Sequence, residues 1–248
     1  MVLRRTPWLL PLALLLVLPS IYAETFTSGA RRTNLLELYT SEGCSSCPRA
    51  DQWVSGLTEA PDLWSSYVPV VFHVGYWDYL GWKDRFASPA FTERQRVYAR
   101  LWQEPSIYTP CFAVAGRPWP RWFRSKTVPK SDNKEVGVLA VKAEDEGRYE
   151  VAFTPAEQGK EWRAYGALLG FDLSSDVRAG ENRGRNLNHQ FVVLSYESGI
   201  MKPHADKLAA TVTLKAPSDV ESKRYAVATW VTKGNDPTPV QATGGYLP

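Results

Sequence analysis

In this 248-residue chain, Cys44-Ser45-Ser46-Cys47 is the stretch whose residue types and spacing promise chemistry. Two thiols separated by two residues close a small ring on oxidation, and such a ring is readily opened again by thiol–disulfide exchange. An apolar, β-prone run, Leu35 to Thr40 (LLELYT), leads into the pair, and Pro48 follows it. Proline suits a first helical turn, where its missing N–H would be unpaired anyway. The free N–H groups of a helix start favour a thiolate, so Cys44 is the expected nucleophile and Cys47, one turn on, the expected resolving thiol. A permanent staple and half of a metal site are the other readings. A bridge over so short a loop removes little entropy from the unfolded chain. A tetrahedral site wants four ligands, and Cys111, His73, His189 and His204 are the residues that would complete one.

The elements that must position this pair are readable on both sides of it. Ala50, Trp53, Val54 and Leu57 recur at helical spacing up to Ala60-Pro61. Val68 to Val74 (VPVVFHV) is a second buried-strand candidate, followed by an aromatic loop from Tyr76 to Phe86. Ser88-Pro89 opens a second helix with Phe91, Val97, Tyr98, Leu101 and Trp102 as its packing face, and Thr109-Pro110 opens a third strand, Cys111 to Ala115. The order is β, α, β, α, β. Residues 124–134 (RSKTVPKSDNK) are polar and aperiodic, and read as a linker. Beyond them the pattern turns to strands alone, as in Tyr149-Val151-Phe153, Leu208-Ala210-Val212-Leu214 and Tyr225-Val227-Val231. About seven such runs between turn signals suggest a β-sandwich.

Three stretches, ELYTSEGCSSCPRAD, FHVGYWDYLGWKDRFASPAFTERQ and IYTP, resemble a secreted bacterial thioredoxin-like family catalogued as domain of unknown function 1223, and GENRGRNLNH is similar to its C-terminal signature. The resemblance spans most of residues 34–240 and implies export and a thioredoxin-like fold, with no substrate attached. The expected fold class is therefore α/β plus all-β: a thioredoxin-like N-terminal domain over residues 31–123, then a β-sandwich-like C-terminal domain over residues 135–245. In thioredoxin-like folds a cis-proline packs against the cysteine pair and presents backbone to a substrate, which makes Pro110 a catalytic candidate and Thr109 a substrate-binding one. A trans proline opening a strand is the other reading. The chain departs from the family at Gly75, where an acidic residue is usual, and at Cys111, where Gln is usual. It also lacks a convincing closing helix, which would leave a sheet face for the β-rich half to cover. The loop from Asp176 to Asn188 is long and polar enough to reach the rim of the cysteine site.

Glu37 lies seven positions before Cys44, in the middle of an apolar strand, either as a buried carboxylate moving protons for Cys47 or in a salt bridge. His73 ends the second strand with Asp78 as a suggested partner, in a structural or a catalytic role. Trp77 and Trp82 belong to an aromatic run that is either a packed loop or, if exposed beside Cys44, an apolar substrate platform. Arg49 and Asp51 read as helix-surface residues, and Cys111 as a small buried hydrophobe.

The first 23 residues read as a secretion signal, with Arg4 and Arg5 ahead of an apolar run from Leu9 to Leu18 and Ile21-Tyr22-Ala23 as the cleavage end. That run is too short to span a bilayer, so export to the periplasm or beyond is expected, with no membrane association after cleavage. Removing it takes the formal balance from 29 basic and 26 acidic residues to 27 and 26, which offers no basic stripe for nucleic acid. The favoured function is thiol–disulfide exchange on exported thiol or disulfide proteins, with no cofactor and with the Cys44–Cys47 disulfide present in the isolated protein. The alternative is a non-enzymatic module that uses the same cysteines to hold a protein partner or a soft metal, copper or zinc.

Overall fold

The computed structural model describes residues 24–157 and 161–248, so the signal expected over residues 1–23 lies outside the described residues. The chain lays down β1 (Thr25–Thr27), β2 (Asn34–Thr40), α1 (Cys47–Ser55), β3 (Tyr67–His73), α2 (Pro89–Trp102), β4 (Cys111–Val114) and β5 (Arg117–Pro118). Strands then dominate: β6 (Gly137–Ala143), β7 (Arg148–Pro155), β8 (Trp162–Phe171), β9 (Leu173–Asp176), β10 (Asn186–His189), β11 (Val192–Ile200), β12 (Lys202–His204), β13 (Lys207–Thr213), β14 (Arg224–Lys233) and β15 (Gln241–Tyr246).

Near-continuous apolar runs suit strands covered on both faces, and β2 and β3 are buried at every residue. They pair in parallel from Asn34 opposite Tyr67 to Thr40 opposite His73, while β4 joins β2 from the other side with Tyr39 opposite Cys111. In α1 the inward face is Cys47, Ala50, Asp51 and Val54. The Ser88 hydroxyl accepts the Ala90 N–H at 3.3 Å to start α2, and Gln103 ends it in the left-handed region.

The expected fold class, a thioredoxin-like α/β domain followed by a β-sandwich-like domain, is overturned. Strands hold 42% of the described residues and helix 16%, with two α-helices. A single eight-stranded sheet runs β15-β14-β8-β11-β3-β2-β4-β5, so the β-α-β-α-β segment is one end of a sheet that the C-terminal strands continue. The junction is at β3, where Val71 donates its N–H to the Phe191 carbonyl at 2.9 Å and pairs in parallel with Val192. Unpaired strand edges are costly to leave open, and β11 takes this one before pairing antiparallel with β8. The second sheet, β1-β6-β7-β13-β12, covers β8 and β14 through Leu139, Val151, Phe153, Trp162, Ala164, Val212 and Val231.

The core follows the sheet. One apolar cluster joins Leu36, Leu38, Val54, Phe72 and Phe112 to Ala167, Leu169, Phe171, Phe191 and Trp230. The polar stretch 124–134 lies against it as a strap, with Val128 buried in that cluster and Pro129 accepting the Asn34 side-chain amide at 3.1 Å. The free edge of β3 is thus closed by strand β11 rather than left open. β9 and β10 form a separate two-stranded ribbon that carries the intervening loop back over α1.

Candidate functional site

Cys44 lies just ahead of α1 and Cys47 is its first residue. Cys44, Cys47 and Cys111 all stand as free thiols and all are buried, Cys44 with 1% of its surface exposed. Sγ of Cys44 is 3.2 Å from Oγ of Ser46 and 3.8 Å from the Thr109 carbonyl oxygen. The Thr109–Pro110 bond is cis. Trp77 donates its indole N–H to the Thr109 hydroxyl oxygen at 2.8 Å, which leaves that hydroxyl hydrogen for the sulfurs. Gly43 is needed beside it: a Cβ there would sit 2.8 Å from Cβ of Trp77. Cys44, Cys47, Thr109 and Trp77 therefore form one constellation.

The two thiols are held apart in acidity. A hydrogen bond from the Cys47 thiol brings Cys44 down to about 6, against the cost of burial and with help from Ser46 and Thr109. Cys47 is pushed well above the usual thiol range by burial, by its bond to Cys44 and by the charge of Asp51. The two shifts run in opposite directions, favouring a thiolate at Cys44 and a retained proton at Cys47.

Trp82 is half-buried. Its indole N–H donates to the Glu42 carboxylate at 2.7 Å, inside a buried polar cluster behind the cysteine loop. His189 Nε2 lies 3.1 Å from the other Glu42 oxygen, and His73 Nδ1 lies 2.8 Å from Asp84 Oδ2 rather than at Asp78. That same Asp84 oxygen accepts the Glu42 backbone N–H at 2.9 Å. The two imidazoles meet edge to face at 4.9 Å. Burial resists ionisation of Glu42, yet His189, Ser175, the His73 charge and Trp82 hold it at about 2. Burial likewise opposes a charged His73, and Asp84, followed by Asp51 and Glu42, raises it to about 9.

Glu37 is placed elsewhere. Its carboxylate takes Arg94 at 2.8 and 3.0 Å, the Tyr98 hydroxyl at 2.6 Å and the Tyr39 hydroxyl at 2.8 Å, so its accepting capacity is spent on a buried ion pair on the α2 side. The buried carboxylate on the Cys47 face is Asp51, one helical turn on, which the sequence reading had left on the surface. Helical periodicity would have found it, since Cys47, Ala50, Asp51 and Val54 share one side.

The loop between β9 and β10 closes the site from the far end of the sequence. The Asn182 side-chain amide donates to the Glu42 and Cys44 carbonyls at 2.8 and 2.9 Å. The Glu181 carboxylate accepts the Ser45 N–H at 2.8 Å. Among the described residues no group of three or more His, Cys, Asp and Glu is placed to hold a metal ion, and no helix is long and apolar enough to cross a membrane.

The profile of a family described as protein of unknown function (DUF1223) matches residues 35–232. No curated protein matches the chain. Among solved structures, protein AGR_C_4864 from Agrobacterium tumefaciens is similar at 24% identity and a TM-score of 0.58, covering 87% of this chain and 94% of that one. HBP35 of Porphyromonas gingivalis is similar at 13% identity and a TM-score of 0.54, covering 89% of this chain and 76% of that one. Both are likenesses of fold.

Proposed function

This chain belongs to the DUF1223 family of proteins of unknown function, and from the geometry of its cysteine loop we propose that it is an exported protein that exchanges disulfides with thiol or disulfide proteins. The observation that carries the reading is the placement of Cys44 just ahead of α1, 3.2 Å from the Ser46 hydroxyl and 3.8 Å from the Thr109 carbonyl, with Cys47 buried in the first turn behind it, an arrangement that lowers Cys44 to about 6 and pushes Cys47 up. The thiolate is the attacking species in disulfide exchange. In the proposed reaction the Cys44 thiolate attacks a substrate disulfide and displaces one substrate thiolate, leaving Cys44 in a mixed disulfide. Cys47 then attacks the Cys44 sulfur and releases the second thiolate, so two electrons pass from the protein dithiol to the substrate.

Access runs over the exposed residues Ser45 and Ser46. The Ser46 hydroxyl lies 3.2 Å from the Cys44 sulfur, so movement of this exposed side chain is part of opening the sulfur to attack. Half-buried Trp77 stacks at 17° on Tyr79, which is 77% exposed, and offers the incoming chain an apolar rest. The signal expected over residues 1–23 supports export to the periplasm or beyond.

A trapping experiment tests the reading. Reduced Cys47→Ser protein mixed with an extract of exported proteins should accumulate mixed disulfides through Cys44, released by dithiothreitol. Cys44→Ser protein should accumulate none. No trapped species with the Cys47→Ser variant, or equal trapping with Cys44→Ser, contradicts the assignment.

A further inference from the structure

The exchange mechanism leaves one requirement unmet. The resolving thiol, Cys47, is fully buried and holds its proton, yet it attacks only as a thiolate. Something inside the protein must take that proton at the moment of attack, because water has no access to it.

Asp51 stands where such a group is needed. It is four residues after Cys47 on the inward face of α1, and residues at that spacing lie over one another. It is 7% exposed and, unlike Glu37, it is not locked in a bidentate ion pair. Its Oδ2 lies 3.8 Å from Nδ1 of His189, within ion-pair reach but beyond a hydrogen bond. Asp51 Oδ1, His189 Nδ1 and His73 Nε2 are buried without hydrogen-bond partners among the described residues. Buried polar atoms are nearly always satisfied, and exceptions ask for a reason. Here the three atoms belong to neighbouring side chains, with His189 3.8 Å from Asp51 and the His73 ring 4.9 Å from that of His189.

We propose that Asp51, oriented by His189, is the proton acceptor for Cys47 in the resolving step. The inference rests on the exchange reading given above. As Cys47 attacks the Cys44 sulfur of the mixed disulfide, its proton passes to the Asp51 carboxylate. The Cys44–substrate bond breaks, and the substrate sulfur leaves as a thiolate carrying the electron pair. The protein is left with a Cys44–Cys47 disulfide and a protonated Asp51, which passes its proton on to the imidazole of His189. In the reverse direction the same groups protonate Cys47 when the disulfide is opened.

The surroundings suit the task. Burial raises Asp51 above the usual carboxylate range, while His189, His73 and the Thr40 hydroxyl pull it back and Asp84 adds repulsion. General base catalysis is most effective when acid and base are closely matched, and a raised carboxyl narrows its gap to a thiol. The groups facing Asp51 are thus Cys47 on its own helix, His189 from β10, His73 from β3, Thr40 from β2 and Asp84 from the loop before α2.

The two steps separate in one experiment. Reduced protein is mixed with excess 5,5′-dithiobis(2-nitrobenzoate) in a stopped-flow instrument, where attack by Cys44 releases one coloured thiolate and attack by Cys47 a second. In the wild type, the second phase should level off below the pH range in which thiols titrate, because the carboxylate sets it. Asp51→Asn should keep the first phase within about twofold and slow the second at least tenfold, with a rate that climbs steadily into the alkaline range. His189→Gln should also slow the second phase selectively. A second phase that is unchanged in Asp51→Asn, or both phases slowed equally, overturns the relay while leaving exchange intact. Should the Asn variant fail to fold, a wild-type second phase that tracks only thiol ionisation overturns it equally. Absence of a fast first phase from Cys44 would instead count against the exchange reading.

Discussion

His189 Nε2 lies 3.1 Å from Oε1 of Glu42, joining positions 147 residues apart across a site where neither side chain reaches solvent. Glu42 precedes the cysteine pair and His189 ends β10, so this contact ties the start of the cysteine loop to a distant part of the chain. The Asn182 amide doubles the tie by holding the Glu42 and Cys44 carbonyls.

The cluster gives stability a defined pH dependence. Glu42 falls to about 2 in the folded protein, so its contribution is complete above its ordinary value and is lost as pH drops through about 2. His73 rises to about 9, so its contribution is complete below its ordinary value and is lost as pH climbs through about 9. Thermal melts should therefore show two sloping limbs. Glu42→Gln should flatten the acid limb and His73→Gln the alkaline one. Melting temperatures that keep both slopes in both variants would contradict these assignments.

Arg94 and Glu37 make a second, separate prediction. Removing one partner of a buried pair strands the other charge, at a cost of about 3–5 kcal/mol. Arg94→Met should lose stability of that order in urea unfolding. Glu37→Gln should destabilise the fold and leave the pH profile of Cys44 alkylation where it was, because among the described residues the hydrogen bonds of Glu37 go to Arg94, Tyr98 and Tyr39 and not to the cysteine pair. A shifted profile would restore Glu37 to the site.

The closing loop is tested at Asn182. Its side chain donates two buried hydrogen bonds, and leaving such acceptors unpaired costs about 1–3 kcal/mol each. Asn182→Ala should lower stability by a few kcal/mol and speed hydrogen exchange at residues 42–47. Unchanged exchange there would show that the loop does not brace the cysteines.

The sequence revealed what local patterns encode. The CxxC pair, the strand before it, the helix after it, the Ser88 cap and the strand that follows Thr109-Pro110 all follow from residues within a few positions of one another. What it did not reveal depends on pairing at a distance. Nothing near Val71 announces Phe191 and Val192 as its neighbours, so β11 was read into a different domain and one sheet was split into two architectures. Asp51 was misread because its charge outweighed its place on the buried helix face. Its partner His189, more than a hundred residues on, could not be seen from it. Glu37 was ambiguous for the same reason, since Arg94 arrives from another element.

The most direct test of the account is alkylation of the reduced protein by iodoacetamide as a function of pH, read by peptide mass spectrometry. Cys44 should react first, with an inflection near 6, while Cys47 and Cys111 stay largely unmodified at neutral pH. Preferential labelling of Cys47, or a Cys44 inflection at the ordinary thiol value of about 8.5, would contradict the division of labour from which the proposed exchange and its buried relay both follow.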